Sequence, residues 1–208
     1  MSTVALIEIN LNNMTSNHKL YSTEKSSNLA VIFPGGNNSC DRPILHYLRK
    51  YFLSHNYDVL CISYSNLFER KDSSDIKFEK IVESVNSAIK QVEKEKQYVD
   101  RLFISRSAGN LAASELKIRH SINVKKSIYI SPTSEAIKYI SKYPGIIITA
   151  SNDEYLENGD INKLRQLKQS ELIVFKNGTH NLETANITET INFHKLVLIK
   201  IVDFVEKQ

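Results

Sequence analysis

Cysteine is scarce in this chain. The 208 residues hold two, Cys40 and Cys61, and that pair supplies neither a metal-ligand spacing nor a disulfide scaffold. So few thiols point to a reducing compartment. Cys61 falls in an apolar strand pattern and reads as core, and Cys40 reads as a thiol at the start of a helix. Long apolar runs are missing too. No stretch reaches the length that crosses a membrane, and no charged leader precedes an apolar run. The expectation is a soluble, cytoplasmic protein with no membrane partner. Nor is charge of one sign concentrated anywhere. The formal net charge is +4, lysines alternate with acids, and no basic stripe of the kind that binds nucleic acid is present. Internal repeats, low-complexity tracts and linkers are absent, so residues 1–208 read as one domain. A phosphate loop is excluded as well, because no Gly-x-Gly-x-x-Gly is present and no Gly-Lys-Ser/Thr follows the one glycine-rich turn. The chain calls for no cofactor and no metal.

What is there is alternation. Val4 to Ile9 and Lys19 to Thr23 read as opening strands, a hairpin at one sheet edge within residues 1–27. Asn28 to Phe33 is a continuous apolar run, the pattern of a strand covered on both faces. It breaks at Pro34-Gly35-Gly36-Asn37-Asn38-Ser39. Ser39 or Asp41 can then cap a helix with Pro43 in its first turn and Ile44, Leu45, Leu48 and Phe52 on one face. Tyr57 to Tyr64 is a second buried strand. Phe78, Ile81, Val82, Val85, Ile89 and Val92 mark one side of a long helix. Further strands read at Leu102 to Ser105, Ser127 to Ile130, Gly145 to Ala150 and Glu171 to Phe175. Helices read at Leu111 to Ile118, Ser134 to Ser141 and Thr188 to Glu206, the last with Ile191, Leu198, Ile201, Val202 and Val205 inward. Strands alternating with helices imply an α/β fold, a mostly parallel twisted sheet with helices on both faces. The gap between Ile130 and Gly145 leaves no room for a lid domain, so any site is expected to be open.

In such a sheet, ligands meet the carboxyl ends of the strands. After the first buried strand comes Pro34-Gly35-Gly36-Asn37. After the third comes Ser105-Arg106-Ser107-Ala108-Gly109, a sharp strand-to-helix turn with small residues two before and two after Ser107. This is the logic of the Gly-x-Ser-x-Gly nucleophile elbow, with serine at its first glycine. After the Gly145 strand comes Ser151-Asn152-Asp153-Glu154, and after the last strand Lys176-Asn177-Gly178-Thr179-His180. A nucleophile, an acid and a histidine thus follow three strand ends in the order Ser, Asp, His.

These four stretches resemble landmarks of the α/β hydrolases, over roughly residues 28 to 208. The chain is similar to small, lid-less members of the dienelactone-hydrolase and carboxylesterase branches. The resemblance implies Ser107 as nucleophile, His180 as general base and Asp153 as the acid behind it. It implies an oxyanion hole from the backbone N–H groups of Gly36 and Ala108, with Asn37 and Arg106 as substrate-binding candidates. The expected reaction is cleavage of a small soluble carboxylic ester or thioester through an acyl-enzyme. The missing lid leaves apolar surface that a second copy, in a homodimer, would cover.

Other readings stand beside these. Ser107 can cap the following helix, His180 can be a surface-loop histidine, and Asp153 can be a turn residue with Glu154 or Asp160 as the acid. Arg106 can bind a substrate carboxylate or pair with a glutamate of the fold. His46 and His55 read as structural or solvent-facing, and His194 as packed. The landmarks also fit a binding or scaffold protein without useful turnover, or an acyltransferase or peptidase using the same three residues.

Overall fold

The apolar runs become the middle of one eight-stranded sheet. A computed structural model of the protein describes residues 2–11, 14–36, 39–68 and 71–207. The strands are β1 (Ser2–Leu11), β2 (Met14–Thr23), β3 (Asn28–Phe33), β4 (Tyr57–Cys61), β5 (Asp100–Arg106), β6 (Lys126–Ile130), β7 (Ile146–Ala150) and β8 (Glu171–Phe175). Their order in the sheet is β1-β2-β4-β3-β5-β6-β7-β8. β1 pairs antiparallel with β2, and β2 antiparallel with β4; every other neighbouring pair is parallel. The opening hairpin therefore lies at one edge, as its position suggests, and runs longer than its apolar residues indicate. Val4 and Leu6 on β1 are exposed, so no hydrophobic face marks the start of that strand.

Side-chain alternation along the parallel strands splits the core in two. Ala30, Ile32, Leu102, Ile104, Ile128 and Ile148 face α1 (Pro43–Ser54) and α6 (Ile187–Glu206). Leu29, Val31, Phe33, Leu60 and Phe103 face α2 (Ser74–Glu95) and α3 (Gly109–His120). A third cluster joins Tyr129 and Ile147 to α4 (Ile137–Ile140) and α5 (Asp160–Arg165). A 3-10 turn, Ser134–Ala136, leads into α4. The stretch between β6 and β7 thus holds only these short turns. Among the described residues no helix is long and apolar enough to cross a membrane.

Two local expectations are corrected. Neither Ser39 nor Asp41 caps α1. Arg42 occupies the cap position with no side-chain cap bond, Pro43 opens the helix, and Asp41 instead pairs with Arg49 at 2.7 Å. Proline at the first helical position already removes one of the orphan donors that a cap would satisfy. In α6, Ile191 does not face inward but is 60 % exposed, whereas Val197 and Ile201 are buried. The apolar residues of that helix are too evenly spread for periodicity alone to select the buried stripe. Between β7 and β8 the fold also contains α5, whose short polar sequence carries no apolar period.

Candidate active site

The turn after β5 is sharp because Ser107 adopts φ 52°, a left-handed conformation unusual for a side chain other than glycine. Such strain persists where the surroundings fix it, and here they do. The Ser107 N–H donates to Ile130 O at 3.0 Å. The Asn110 amide donates to Ser107 O at 2.9 Å and to Ile130 O at 3.1 Å. The Ser105 hydroxyl lies 2.7 Å from Asn110 Oδ1 and 3.1 Å from Ile128 O. Serine at the first position of the motif is thereby accounted for: its hydroxyl is fully buried but partnered, and it holds the amide that holds the turn. Asn110 escaped the sequence reading, since nothing about one asparagine at a helix start distinguishes it before the contacts are seen.

Gly109 explains why the turn lies where it does. A Cβ at that position would stand 2.5 Å from Pro34 O and 2.6 Å from Phe33 O. The helix start therefore packs directly on the backbone of the turn after β3. That contact brings Gly36 beside Ala108, since a Cβ on Gly36 would lie 3.9 Å from Ala108 Cβ. Among the described residues the N–H groups of Gly36 and Ala108 have no acceptor. Tyr64 donates to Pro34 O at 3.2 Å and anchors the same turn.

The loops after β7 and β8 are tied to each other. Ser151 N–H donates to Phe175 O at 2.9 Å, Asn152 N–H to Gly178 O at 3.0 Å, and Asn177 N–H to Ser151 Oγ at 2.8 Å. This lattice delivers His180 to Ser107. His180 Nε2 is 2.8 Å from Ser107 Oγ. His180 Nδ1 lies 2.8 and 2.9 Å from the two oxygens of Asp153. The Asp153 carboxylate is buried, and it also accepts the Tyr155 N–H at 2.9 Å. A carboxylate only accepts, so Nδ1 donates to it and Nε2 is left to accept the Ser107 proton. The Tyr155 ring stacks at a tilt against the imidazole, centroids 4.5 Å apart.

The remaining candidates fall as follows. Glu154 accepts the His180 backbone N–H at 3.3 Å rather than meeting its ring. Asp160 bonds Glu157 N–H and Lys163 at the start of α5. Arg106 is 5 % exposed and donates to Asn181 Oδ1 at 2.7 Å; its bond is to an amide, with Glu183 beside it. Asn37 lies outside the described residues. His46 bonds Arg49, His55 is exposed, and His194 is partly buried, lining a small cavity with Arg42 and Arg106. Among the described residues no group of three or more His, Cys, Asp or Glu side chains is placed to hold a metal.

No family model matches the sequence, and no curated protein matches it. Solved structures do. Est1E from Butyrivibrio proteoclasticus superposes with a TM-score of 0.72 at 13 % identity, covering 97 % of this chain and 99 % of that one. The esterase Pf2001 from Pyrococcus furiosus gives 0.74 at 14 % identity, covering 99 % and 90 %. A dienelactone hydrolase from Anabaena variabilis gives 0.66 at 10 % identity, covering 98 % of each chain. With the strand order and the elbow in place over its whole length, the chain has the α/β-hydrolase fold.

Proposed function

We propose that this protein is a serine hydrolase that cleaves a small carboxylic ester or thioester through an acyl-enzyme on Ser107. His180 takes the hydroxyl proton as Oγ attacks the carbonyl carbon, and the carbonyl electron pair moves onto oxygen. Asp153 holds the imidazole in the tautomer that accepts at Nε2 and stabilises the cation formed. The oxyanion is met by the N–H groups of Gly36 and Ala108. Collapse returns the proton from His180 to the leaving alkoxide or thiolate. Water then attacks the acyl carbon as His180 takes its proton; the bond to Ser107 Oγ breaks, His180 returns the proton to Oγ, and the acid leaves.

The observation that carries this reading is the continuous contact from Ser107 Oγ through His180 to Asp153, at 2.8 Å on each side of the ring. The fold shared with solved esterases supports ester hydrolysis. A binding module without turnover requires no such alignment. The test is labelling by a fluorophosphonate. The folded protein is expected to react, and Ser107→Ala and His180→Ala to lose the label. Absence of label on the folded native protein would count against the proposal.

A further inference from the structure

Cys40 and Cys61 carry free thiols and are both buried, 5 % and 4 % exposed. The fold brings them together from either side of α1. Cys61 ends β4, where it stands opposite Ile32 of β3. Cys40 lies between the Gly36 turn and α1, and its Sγ is 3.5 Å from Ile32 O and 3.5 Å from Ile62 O. The Cys40 sulfur therefore sits over the rung of the sheet that carries Cys61. The Cys40 thiol donates to Cys61 Sγ, and both side chains line one cavity of about 500 Å³.

Cys61 has a second partner. Arg49 of α1 also donates to Cys61 Sγ. The guanidinium is held there by Asp41 at 2.7 Å and His46 Nδ1 at 2.9 Å, 4.6 Å from the centre of the Tyr21 ring. These surroundings make the two thiols unequal. The bond from Cys40 and the charge and bond of Arg49 lower the pKa of Cys61, against the opposing effect of burial. The bond to Cys61 and burial raise the pKa of Cys40. A thiolate is the nucleophile toward peroxides, and a thiol beside it resolves the product. A cysteine that only fills a core needs neither a cation at its sulfur nor a second sulfur in contact.

We propose that Cys40 and Cys61 are a modification site, oxidised to a disulfide by hydrogen peroxide or a small organic hydroperoxide. The Cys61 thiolate attacks a peroxide oxygen: the S–O bond forms, the O–O bond breaks, and the displaced hydroxide takes up the proton that Cys61 gave up and leaves as water. Cys40 sulfur, losing its proton, then attacks Cys61 sulfur. The S–S bond forms, the S–O bond breaks, and a second water departs. The thiols lose the two electrons that the peroxide gains. The disulfide closes a loop around all of α1 and so restrains the unfolded chain. Exchange with a small thiol reverses it.

The test treats the folded protein with equimolar hydrogen peroxide, blocks the remaining thiols with N-ethylmaleimide and maps the peptides by mass. The expected product is a monomer lighter by two hydrogen atoms, with the Cys40 and Cys61 peptides linked. Its urea midpoint is expected to rise and to fall back after dithiothreitol. In Cys40→Ser the reaction is expected to stop at a sulfenic acid on Cys61, trapped by dimedone, whereas Cys61→Ser takes up no dimedone. Arg49→Gln is expected to slow oxidation about threefold, since roughly tenfold less thiolate is partly offset by its greater nucleophilicity. Oxidation is also expected to be faster in the folded protein than in the chain unfolded by urea. Sulfinic acid without a disulfide, a disulfide only between two chains, or slower oxidation of the folded protein would overturn the proposal. Each of these results is independent of ester hydrolysis.

Discussion

The Arg106 guanidinium donates a 2.7 Å hydrogen bond to Asn181 Oδ1. Arg106 precedes Ser107 and Asn181 follows His180, so one bond joins the elbow to the loop that carries the imidazole. Arg106 forms no ion pair among the described residues, and its burial, with the charge of Arg42 nearby, lowers its pKa. A buried cation held by one amide is an expensive feature. Its position suits registration of the two loops that the Ser107–His180 contact also joins. Arg106→Met and Asn181→Leu are each expected to lower kcat for a neutral ester about tenfold, with KM little changed. Steady-state kinetics beside a denaturation midpoint check this. An unchanged kcat in both variants would refute the registration role.

Gly109 makes a second expectation. Within the first turn of a helix, alanine ordinarily gains about 1 kcal/mol over glycine. Here the added methyl would meet Pro34 O at 2.5 Å and Phe33 O at 2.6 Å, both backbone atoms. Gly109→Ala is expected to lose about 2 kcal/mol of stability. It also pushes Gly36 away from Ala108, so fluorophosphonate labelling is expected to slow. Urea unfolding and labelling rates measure the two effects separately.

Acid stability follows from His18. This residue is fully buried; Nδ1 accepts the Ser63 N–H at 3.1 Å and Nε2 lies 3.0 Å from Ser84 Oγ. Burial lowers its pKa to about 4. Between pH 6.5 and 4 the unfolded chain binds a proton that the folded chain refuses. The stability gained is complete above the ordinary histidine value and is lost as pH falls toward 4, by roughly 3 kcal/mol from this residue. Urea midpoints at pH 7 and pH 4.5 are expected to differ more in the native protein than in His18→Gln.

Lys117 acts at the other end of the scale. It is 4 % exposed on α3, with Nζ 3.0 Å from Ser127 Oγ and 2.8 Å from the Tyr129 hydroxyl. Burial lowers its pKa to about 7. The unfolded chain holds this proton up to about pH 10.4. From pH 7 upward the unfolded form therefore binds more protons, and stability attributable to Lys117 rises with pH. Lys117→Met is expected to flatten that rise, as read by thermal unfolding at pH 7 and pH 9.

Much of this architecture was legible in the chain. β3, β5, β6 and β7 are apolar because both faces are covered, and that signal survives without tertiary knowledge. Ser107, Asp153 and His180, the three side chains that the structure brings into contact, each follow a strand end in the sequence. The residues that make those positions work are not legible there. Asn110 acts through bonds to Ser105, Ser107 and Ile130, and Asn181 through one bond to Arg106; no period or spacing announces either. Arg106 shows the same limit. As a cation beside Ser107 it suggested a substrate carboxylate or a glutamate of the fold as its partner, but its guanidinium donates to Asn181.

On the proposed reading, Ser107 Oγ, 2.8 Å from His180 Nε2, forms a covalent acyl intermediate. Intact-mass measurement after rapid mixing with 4-nitrophenyl acetate and acid quench tests this most directly. A population heavier by one acetyl group is expected, mapped to the Ser107 peptide and absent from Ser107→Ala. Turnover of the ester with no acyl adduct at any quench time, or an adduct that persists in Ser107→Ala, would contradict it.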